Sequence, residues 1–228
     1  MGLLPNEVLP HRVLEVGCGT GLLTQLLMRR YSDSLITAID IAPGMIEECR
    51  RKWPVEGRCA FLEADVESMT LAGEFDLIIS NSCFQWLTDL RGAMHKLASH
   101  LRAGGVLAFS APAAGTLSEL SRCYQQVAPS KAAGHALPDA DDYFTAVSET
   151  GLESHVAEKQ TLVFIYERPE HVLRSLKGLG ATRAMARDGA GLSRSQIRGL
   201  LDVYARDFRL PDGCVTCTYT TAYVRASR

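Results

Sequence analysis

The chain has 228 residues, of which 46% are hydrophobic and 22% charged, with a formal net charge of −2. This length can bury a sizeable core and predicts one domain, residues 1–228, with an elaboration. The charge argues against bulk attraction to nucleic acid. The sequence has no signal peptide and no apolar run of about 18 residues, which predicts a cytoplasmic protein without a membrane partner.

The first predicted element is a strand that runs directly into three closely spaced glycines. Residues 13–16 are followed by Gly17, Gly19 and Gly21, and then by an apolar helical pattern. Because glycine has no Cβ, it permits sharp turns and close approach of a ligand. This order predicts a nucleotide cradle at the carboxyl edge of a sheet. A dinucleotide oxidoreductase is the weakest alternative, since its third glycine would stand at Leu22.

The next three predicted strands each end in a polar residue. The first ends at Asp40, about 20 residues after the glycine turn, which is the spacing of a ribose-binding carboxylate. A helix N-cap is the simpler interpretation of Asp40. The others end at Asp65 and Asn81, so three polar side chains are expected at one sheet edge. The predicted strands span residues 34–40, 59–65 and 75–81.

The remaining elements continue the alternation of helices and strands. A helix from Thr88 is expected to end at Gly104 and Gly105, followed by a fifth strand at residues 106–110. Alternating strands and helices predict an α/β fold with a doubly wound, mostly parallel sheet. The later elements are predicted as helices at residues 141–149, 169–179 and 193–208 and strands at 161–166 and 215–224.

The cysteines and histidines do not form a recognisable metal or nucleophile motif. Cys214 and Cys217 stand three residues apart at the start of a predicted strand, and in strand geometry they would point to opposite faces. No second cysteine pair or histidine stands at zinc-ligand spacing. We therefore predict no metal site and a structural role for these thiols.

Several segments of the chain resemble a known family. Residues 15–21 (E-V-G-C-G-T-G) resemble motif I of class I S-adenosylmethionine (SAM) methyltransferases. Residues 81–86 (N-S-C-F-Q-W) and 173–182 (L-R-S-L-K-G-L-G-A-T) resemble segments of the biotin-synthesis methyltransferase family, BioC. The resemblance covers the chain from Arg12 onward. It implies a Rossmann-like, seven-stranded class I fold with a helical lid between the last strands.

The activity that the resemblance implies is methyl transfer from SAM to the free carboxylate of malonyl-acyl carrier protein, or of malonyl-CoA. S-adenosylhomocysteine (SAH) is the other product, and the methyl ester starts pimeloyl synthesis for biotin. No catalytic base is expected, since a malonyl carboxylate is ionised at neutral pH. A monomer is favoured.

The site residues implied by the resemblance fall into two groups. Asp65 would accept from the adenine amino group, with the Val66 amide facing a ring nitrogen, while Met45 lies where an adenine face could rest. Phe84 and Trp86 would line the acceptor side of the site. The simpler interpretation of Trp86 is that it anchors the following helix to the core. The cofactor residues are Glu15, Gly17, Cys18, Gly19, Gly21, Asp40, Ile41, Met45, Asp65, Val66 and Asn81; the acceptor residues are Phe84, Trp86, Arg174, Lys177 and Arg183.

The expected layout is a core at residues 12–113, helical lid elements at about 114–158 and 167–213, and a closing strand at 214–226. Residues 168–209 carry nine basic and four acidic side chains, which favours an anionic acceptor or an acidic protein partner. A solvated helix face is the simpler interpretation.

Three alternatives remain open. They are a methyltransferase of another small carboxylate such as trans-aconitate, a carbon or nitrogen methyltransferase with a base near its acceptor, and a non-catalytic SAM-fold binding protein. The family places a helical segment before motif I, where this chain has eleven residues. Weaker cofactor binding and less water exclusion are expected from that difference.

Overall fold

The computed structural model describes residues 3–53, 57–129, 136–178 and 192–228, except for the side chains of residues 177 and 178. The described residues form seven strands and seven α-helices. The strands are β1 (Arg12–Val16), β2 (Leu35–Asp40), β3 (Cys59–Glu63), β4 (Phe75–Asn81), β5 (Leu101–Pro112), β6 (Glu153–Tyr166) and β7 (Val215–Ser227). The helices are α1 (Leu22–Arg30), α2 (Pro43–Lys52), α3 (Leu90–Ser99), α4 (Ser118–Val127), α5 (Ala140–Ser148), α6 (Pro169–Gly178) and α7 (Arg194–Asp207).

The strands form one sheet in the order β3-β2-β1-β4-β5-β7-β6. The pairs β1/β2, β1/β4, β2/β3 and β4/β5 are parallel. This confirms the predicted α/β, doubly wound, mostly parallel sheet of seven strands. The strand order reverses at β1, which has β2 on one side and β4 on the other. Ligands of open α/β sheets bind at such a switch point, outside the carboxyl ends of the strands.

The chain divides into two compact units. The first comprises Met1–Pro112, Asp139–Lys159 and Ala222–Arg228, and the second Ala113–Pro138 and Gln160–Thr221. Helix α5 therefore groups with the first unit, whereas α4, α6 and α7 belong to the second. Among the described helices, none has the length and apolar character needed to cross a membrane.

The expectation that Gly104 and Gly105 end a helix is wrong. Helix α3 ends at Ser99, and β5 begins only two residues later, at Leu101. Gly104 has a φ of 76°, and the β4/β5 register shifts at this point. The two glycines thus form an irregularity inside a strand, because a glycine with positive φ serves a β-bulge as readily as a helix end.

Two other elements differ from the prediction. Helix α4 falls within the region 114–158 that was expected to be helical, but its bounds were not predicted; its N-cap residue, Leu117, has a φ of 56° without a side-chain cap. No capping motif therefore marks its start in the sequence. Strand β6 begins at Glu153, eight residues before the predicted start at residue 161. The prediction started too late because the first half of the strand is polar and lacks the apolar pattern from which a strand is predicted.

The core of the first unit is formed by its central strands and an aromatic cluster. Four of the five residues of β1 and five of the seven of β4 are buried, as expected for parallel strands covered on both faces. The rings of Phe84 and Phe109 meet edge to face with centroids 4.8 Å apart, and Tyr143 lies 6.0 Å from Phe109. The Tyr143 hydroxyl donates to the Pro112 carbonyl at 3.1 Å.

The second unit has its own core, in which α4, α6 and α7 contribute buried side chains along with the start of β7. The Tyr204 hydroxyl donates to the Thr216 carbonyl at 2.7 Å. The buried Glu119 carboxylate accepts from the Thr218 hydroxyl at 2.7 Å and from the Thr218 amide at 3.0 Å. These bonds hold the pKa of Glu119 below its ordinary value although burial opposes them.

Truncation of the central aromatic ring should destabilise the first unit strongly. Phe109→Ala removes a fully buried ring and its edge contacts, so we expect a loss of about 3–5 kcal/mol in the free energy of unfolding. Leu9, which is 84% exposed, provides the control, and Leu9→Ala should change stability by less than about 0.5 kcal/mol. Urea unfolding of both variants checks this; equal losses would contradict it.

Candidate functional site

The glycine turn after β1 is tied to the end of β2. The amides of Gly17 and Cys18 both donate to the Ile39 carbonyl, at 2.8 and 2.9 Å. Gly17, Gly19 and Gly21 have φ values of 73°, 53° and 82°, which L side chains rarely adopt. The Cys18 side chain is buried. Any contribution of Cys18 to an open ligand site therefore comes from its backbone.

The three glycines of the turn have different surroundings. A Cβ on Gly17 would lie 2.4 Å from the Cys83 side chain, and one on Gly21 would lie 2.7 Å from Nε1 of Trp53. A Cβ on Gly19 would have no atom within 4 Å among the described residues. Gly17 and Gly21 are thus required by packing inside the protein. Gly19 faces open space, where a ligand can approach the backbone.

The Asp40 carboxylate lies at the end of β2 and contacts the glycine turn. One oxygen, Oδ2, accepts from the Gly19 amide at 2.8 Å, and Oδ1 accepts from the Ala42 amide at 2.9 Å. The N-cap residue of α2 is Ala42, so Asp40 is not its cap. A carboxylate has about four acceptor positions, and Asp40 therefore retains capacity for a diol.

Two apolar side chains follow Asp40 on the outer surface of the first unit. Ile41 is 69% exposed and Met45, on the first turn of α2, is 39% exposed. Large exposed apolar side chains beside a polar cradle are suited to the face of a planar base.

Asp65 lies two residues beyond the end of β3, which stops at Glu63. Its Oδ1 accepts from the Glu67 amide at 2.9 Å and its Oδ2 from the Ser68 hydroxyl at 3.1 Å. The strand is shorter than predicted because these local bonds close a turn in place of further strand pairing. The side chain of Val66 is buried.

Glu15 is buried in β1, with 1% of its surface exposed. Its Oε2 has no hydrogen-bond partner among the described residues. Burial raises the pKa of Glu15 to about 7. A buried carboxylate oxygen without a protein partner is costly in the protein alone and is available to a bound donor.

Asn81 is exposed at the end of β4, where its Oδ1 accepts from the Ser110 hydroxyl. The next residue, Ser82, has a φ of 56°, a strained conformation for a residue other than glycine. Its amide donates to the Ser110 carbonyl at 2.8 Å. Ser110, a polar residue near the carboxyl end of β5, was not among the predicted site residues, although it fits the pattern that identified Asn81.

The two aromatic residues expected on the acceptor side have opposite environments. Phe84 is 1% exposed and packs on Phe109, so the structure places it in the core and not on an acceptor surface. Trp86 is 49% exposed, which does not match a core anchor. The 3-10 turn Phe84–Trp86 turns consecutive side chains to different sides, and this separates the two rings.

The basic residues expected to hold the acceptor are only partly within the described chain. Arg174 is exposed on α6. The side chain of Lys177 and the whole of Arg183 lie outside the described residues. In the described part of the chain, no group of three metal-binding side chains occurs, and Cys214 and Cys217 are free thiols.

The structure brings the predicted cofactor residues to adjacent strands. Glu15 and the glycine turn belong to β1 and its end, Asp40 ends β2, Asp65 follows β3 and Asn81 ends β4. In the sheet these strands are neighbours in the order β3-β2-β1-β4. Parallel strands present their carboxyl ends at one edge, so these residues share that edge.

Comparison with known proteins identifies relatives over most of the chain. Residues 13–105 match the family model described as a methyltransferase domain. The chain is 34% identical over 230 residues to the malonyl-[acyl-carrier protein] O-methyltransferase of Acetivibrio thermocellus, covering 95% of this chain and 79% of that protein. The enzyme of the same name from a Paenibacillus species is 34% identical, covering 90% and 78%.

A solved structure supports the fold assignment. The N-methyltransferase NodS from Bradyrhizobium japonicum, in complex with S-adenosyl-L-homocysteine, superposes with a TM-score of 0.55. It is 16% identical and the match covers 96% of this chain and 79% of that one. At this identity the likeness shows a shared fold.

The surroundings of the glycines predict different tolerance to a methyl group. Gly17→Ala places a Cβ against Cys83 at a positive φ, so we expect about 2–4 kcal/mol of destabilisation. Gly19→Ala bears only the backbone strain and should lose about 1 kcal/mol. Urea unfolding compares the two; equal stability losses would show that Gly17 is not fixed by packing.

Glu15 should make stability fall as the pH rises. Because burial raises its pKa from 4.5 to about 7, its stabilising protonated form is fully present below pH 4.5 and is lost as the pH rises to about 7. Glu15→Gln removes this titration, so its stability relative to wild type should improve between pH 5 and 8, by up to about 3 kcal/mol. Thermal unfolding across that range measures it.

The exposed Glu47 provides the matched control for this pH series. Glu47→Gln should follow the wild-type pH profile. A Glu15→Gln profile parallel to wild type would show that Glu15 keeps an ordinary pKa in the folded protein.

Proposed function

Because the chain belongs to the malonyl-[acyl-carrier protein] O-methyltransferase family, we propose that it transfers a methyl group from SAM to the free carboxylate of a malonyl thioester. Acyl carrier protein is the proposed thiol carrier, with coenzyme A as a substitute, and the product ester serves biotin synthesis. The observation that carries the proposal is 34% identity over 95% of the chain to an enzyme of that name.

The residues at the sheet edge fit SAM. The open backbone at Gly19 admits a ligand, the Asp40 carboxylate has acceptor capacity for the ribose hydroxyls, and Ile41 and Met45 offer an apolar face to adenine. Asp65 and the Val66 amide are proposed to read the amino edge of the base. Bound SAM supplies an electrophilic methyl group on a sulfonium centre.

The amino-acid part of the cofactor would lie at the glycine turn. Glu15 has a buried oxygen without a protein partner in the described chain, and this oxygen is suited to an ammonium group, directly or through a water. The exposed Asn81 lies at the end of the neighbouring strand β4 and provides a further polar contact on that side.

The acceptor needs orientation and no catalytic base. A malonyl carboxylate is already ionised at neutral pH, so the protein's task is to hold its oxygen in line with the methyl group. We propose that a basic side chain from the set Arg174, Lys177 and Arg183 fixes the carboxylate, a bidentate guanidinium being best suited to placement. Trp86, half exposed, is proposed to wall the acceptor.

The exposed arginines of the second unit are the feature that favours a protein-borne substrate, and the exposed acids Glu167, Glu170 and Asp202 lie among them. Several arginines of α6, α7 and their flanking turns are exposed, and a cationic surface steers an acidic carrier protein. The exposed arginines described there are Arg168, Arg174, Arg194, Arg198, Arg206 and Arg209. Of these, Arg206 is paired with Asp207 and so contributes less net charge.

The proposal is tested by methyl transfer from radiolabelled SAM to malonyl-acyl carrier protein. Malonyl-CoA, succinyl-acyl carrier protein and trans-aconitate are the competing acceptors. A base-labile methyl ester formed preferentially on the malonyl carrier protein is the expected result. Preferred labelling of trans-aconitate would reassign the acceptor, and SAH binding without transfer to any acceptor would favour a binding protein.

Removal of the charge on Asp40 should weaken the binding of the cofactor. Asp40→Asn loses one of two acceptor oxygens at the point where the ribose and the Gly19 amide meet. We expect at least a tenfold rise in the dissociation constant of SAH, equivalent to about 1.4 kcal/mol. Titration calorimetry measures it, with the exposed Asp33→Asn as the control that should bind as wild type. Unchanged SAH binding in Asp40→Asn would remove Asp40 from the site.

A further inference from the structure

The segment 65–69, here named the base-recognition turn, is a single turn of backbone after β3. Its first residue accepts bonds from the residues that follow, and the Met69 amide donates to the Asp65 carbonyl at 2.8 Å. The Ala64 amide donates to the Asp40 carbonyl at 3.0 Å, which fixes the start of the turn beside β2. In the described chain no protein acceptor takes the Val66 amide, which leaves this donor for a ligand.

Lys96 on α3 binds the backbone carbonyls of this turn. The residue is half-buried, and its ammonium donates to the carbonyls of Val66, at 2.8 Å, and Glu67, at 3.1 Å, and also to that of Met69. These three acceptors match the three donors of a lysine ammonium. No carboxylate pairs with Lys96 in the described chain, so its protein partners there are backbone carbonyls of the turn.

A second contact joins the turn to the start of α3, and here the turn provides the acceptor, a carboxylate. The Glu67 carboxylate accepts from the Thr88 hydroxyl at 2.9 Å and from the Asp89 amide at 2.7 Å. Asp89 in turn caps α3, since its side chain accepts from the Gly92 amide at 2.9 Å. The turn is therefore held to a rigid helix by a cation at its carbonyls and by an anion at the start of the helix.

We propose that Lys96 is a positioning residue for cofactor recognition, because its ammonium sets the Asp65 carboxylate and the Val66 amide to read the amino edge of adenine. This inference rests on the proposed SAM site. Lys96 does not touch the cofactor and acts through the backbone of the turn. Without the ammonium, three clustered carbonyls would lose their donor and the turn would repack.

The preference of the protein for adenine over hypoxanthine depends on the geometry of the turn. The amino group of adenine donates to Asp65, and a ring nitrogen accepts from the Val66 amide. Hypoxanthine has a carbonyl in place of that amino group and a protonated ring nitrogen, so it meets an acceptor with an acceptor and a donor with a donor. A correctly placed turn therefore discriminates against inosine, because the mismatched polar groups are left unpaired.

The experiment compares binding of SAH and S-inosyl-homocysteine by calorimetry. In Lys96→Met, which keeps the apolar stem, we expect SAH affinity to fall about tenfold and that of the inosyl ligand by less than about threefold. Lys96→Arg, which retains donors and charge, should recover most of the discrimination. Arg91→Met is the matched control, since it removes a cation from the same helix that pairs with Glu149 and not with the turn.

The outcomes separate this inference from the cofactor assignment. Wild-type discrimination retained in Lys96→Met, or an equal loss of affinity for both ligands, would overturn the role of Lys96 while leaving the SAM site intact. Failure of the wild-type protein to bind SAH would overturn both. Thermal unfolding verifies that each variant is folded, and Lys96→Gln provides the same test if Lys96→Met does not fold.

Discussion

The arrangement of the candidate site depends on the end of β2. The carbonyl of Ile39 accepts from the amides of Gly17 and Cys18, and the carboxylate of Asp40 accepts from the amide of Gly19. Two consecutive residues of β2 thus bind three consecutive amides of the turn after β1. The positive φ values of the glycines make these amides available to that edge. The parallel pairing of β1 with β2 sets the register that brings the two segments together.

The parts of this site that could be predicted are those encoded in short, contiguous patterns. Each of three features is recognised from a few neighbouring residues: the glycine spacing, the apolar run of β1 and the acid at the end of β2. Parallel strands then bring the ends of β1 and β2 to one edge of the sheet. The expectation for Gly104 was wrong and Phe84 lies in the core, in both cases for a physical reason. Which side of a 3-10 turn faces the core, and whether a glycine serves a bulge or a helix end, depends on packing by distant residues.

Contacts that couple distant segments left no signal in the sequence. Lys96 stands on an amphipathic helix, where a lysine typically faces solvent, and its acceptors are backbone carbonyls about 30 residues earlier, which every residue carries. Glu67 similarly reaches across to Thr88 and Asp89. Any residue type supplies a backbone acceptor, so such bonds become visible only once the fold has placed the turn after β3 beside α3.

The burial of Glu15 would couple the stability of the protein to binding of the proposed cofactor. A carboxylate with 1% exposure and a pKa raised to about 7 favours its protonated form in the protein alone, because the ionised form is poorly solvated. A cationic group at its unpartnered oxygen would stabilise the ionised form and return the pKa toward its ordinary value. Cofactor binding would then release a proton near neutral pH and tighten as the pH rises through 7, while the stability of the free protein falls over the same range. Cofactor affinity and the stability of the free protein would thus depend on pH in opposite directions, because both depend on the ionisation of Glu15. This difference separates a ligand-binding role of Glu15 from a structural one.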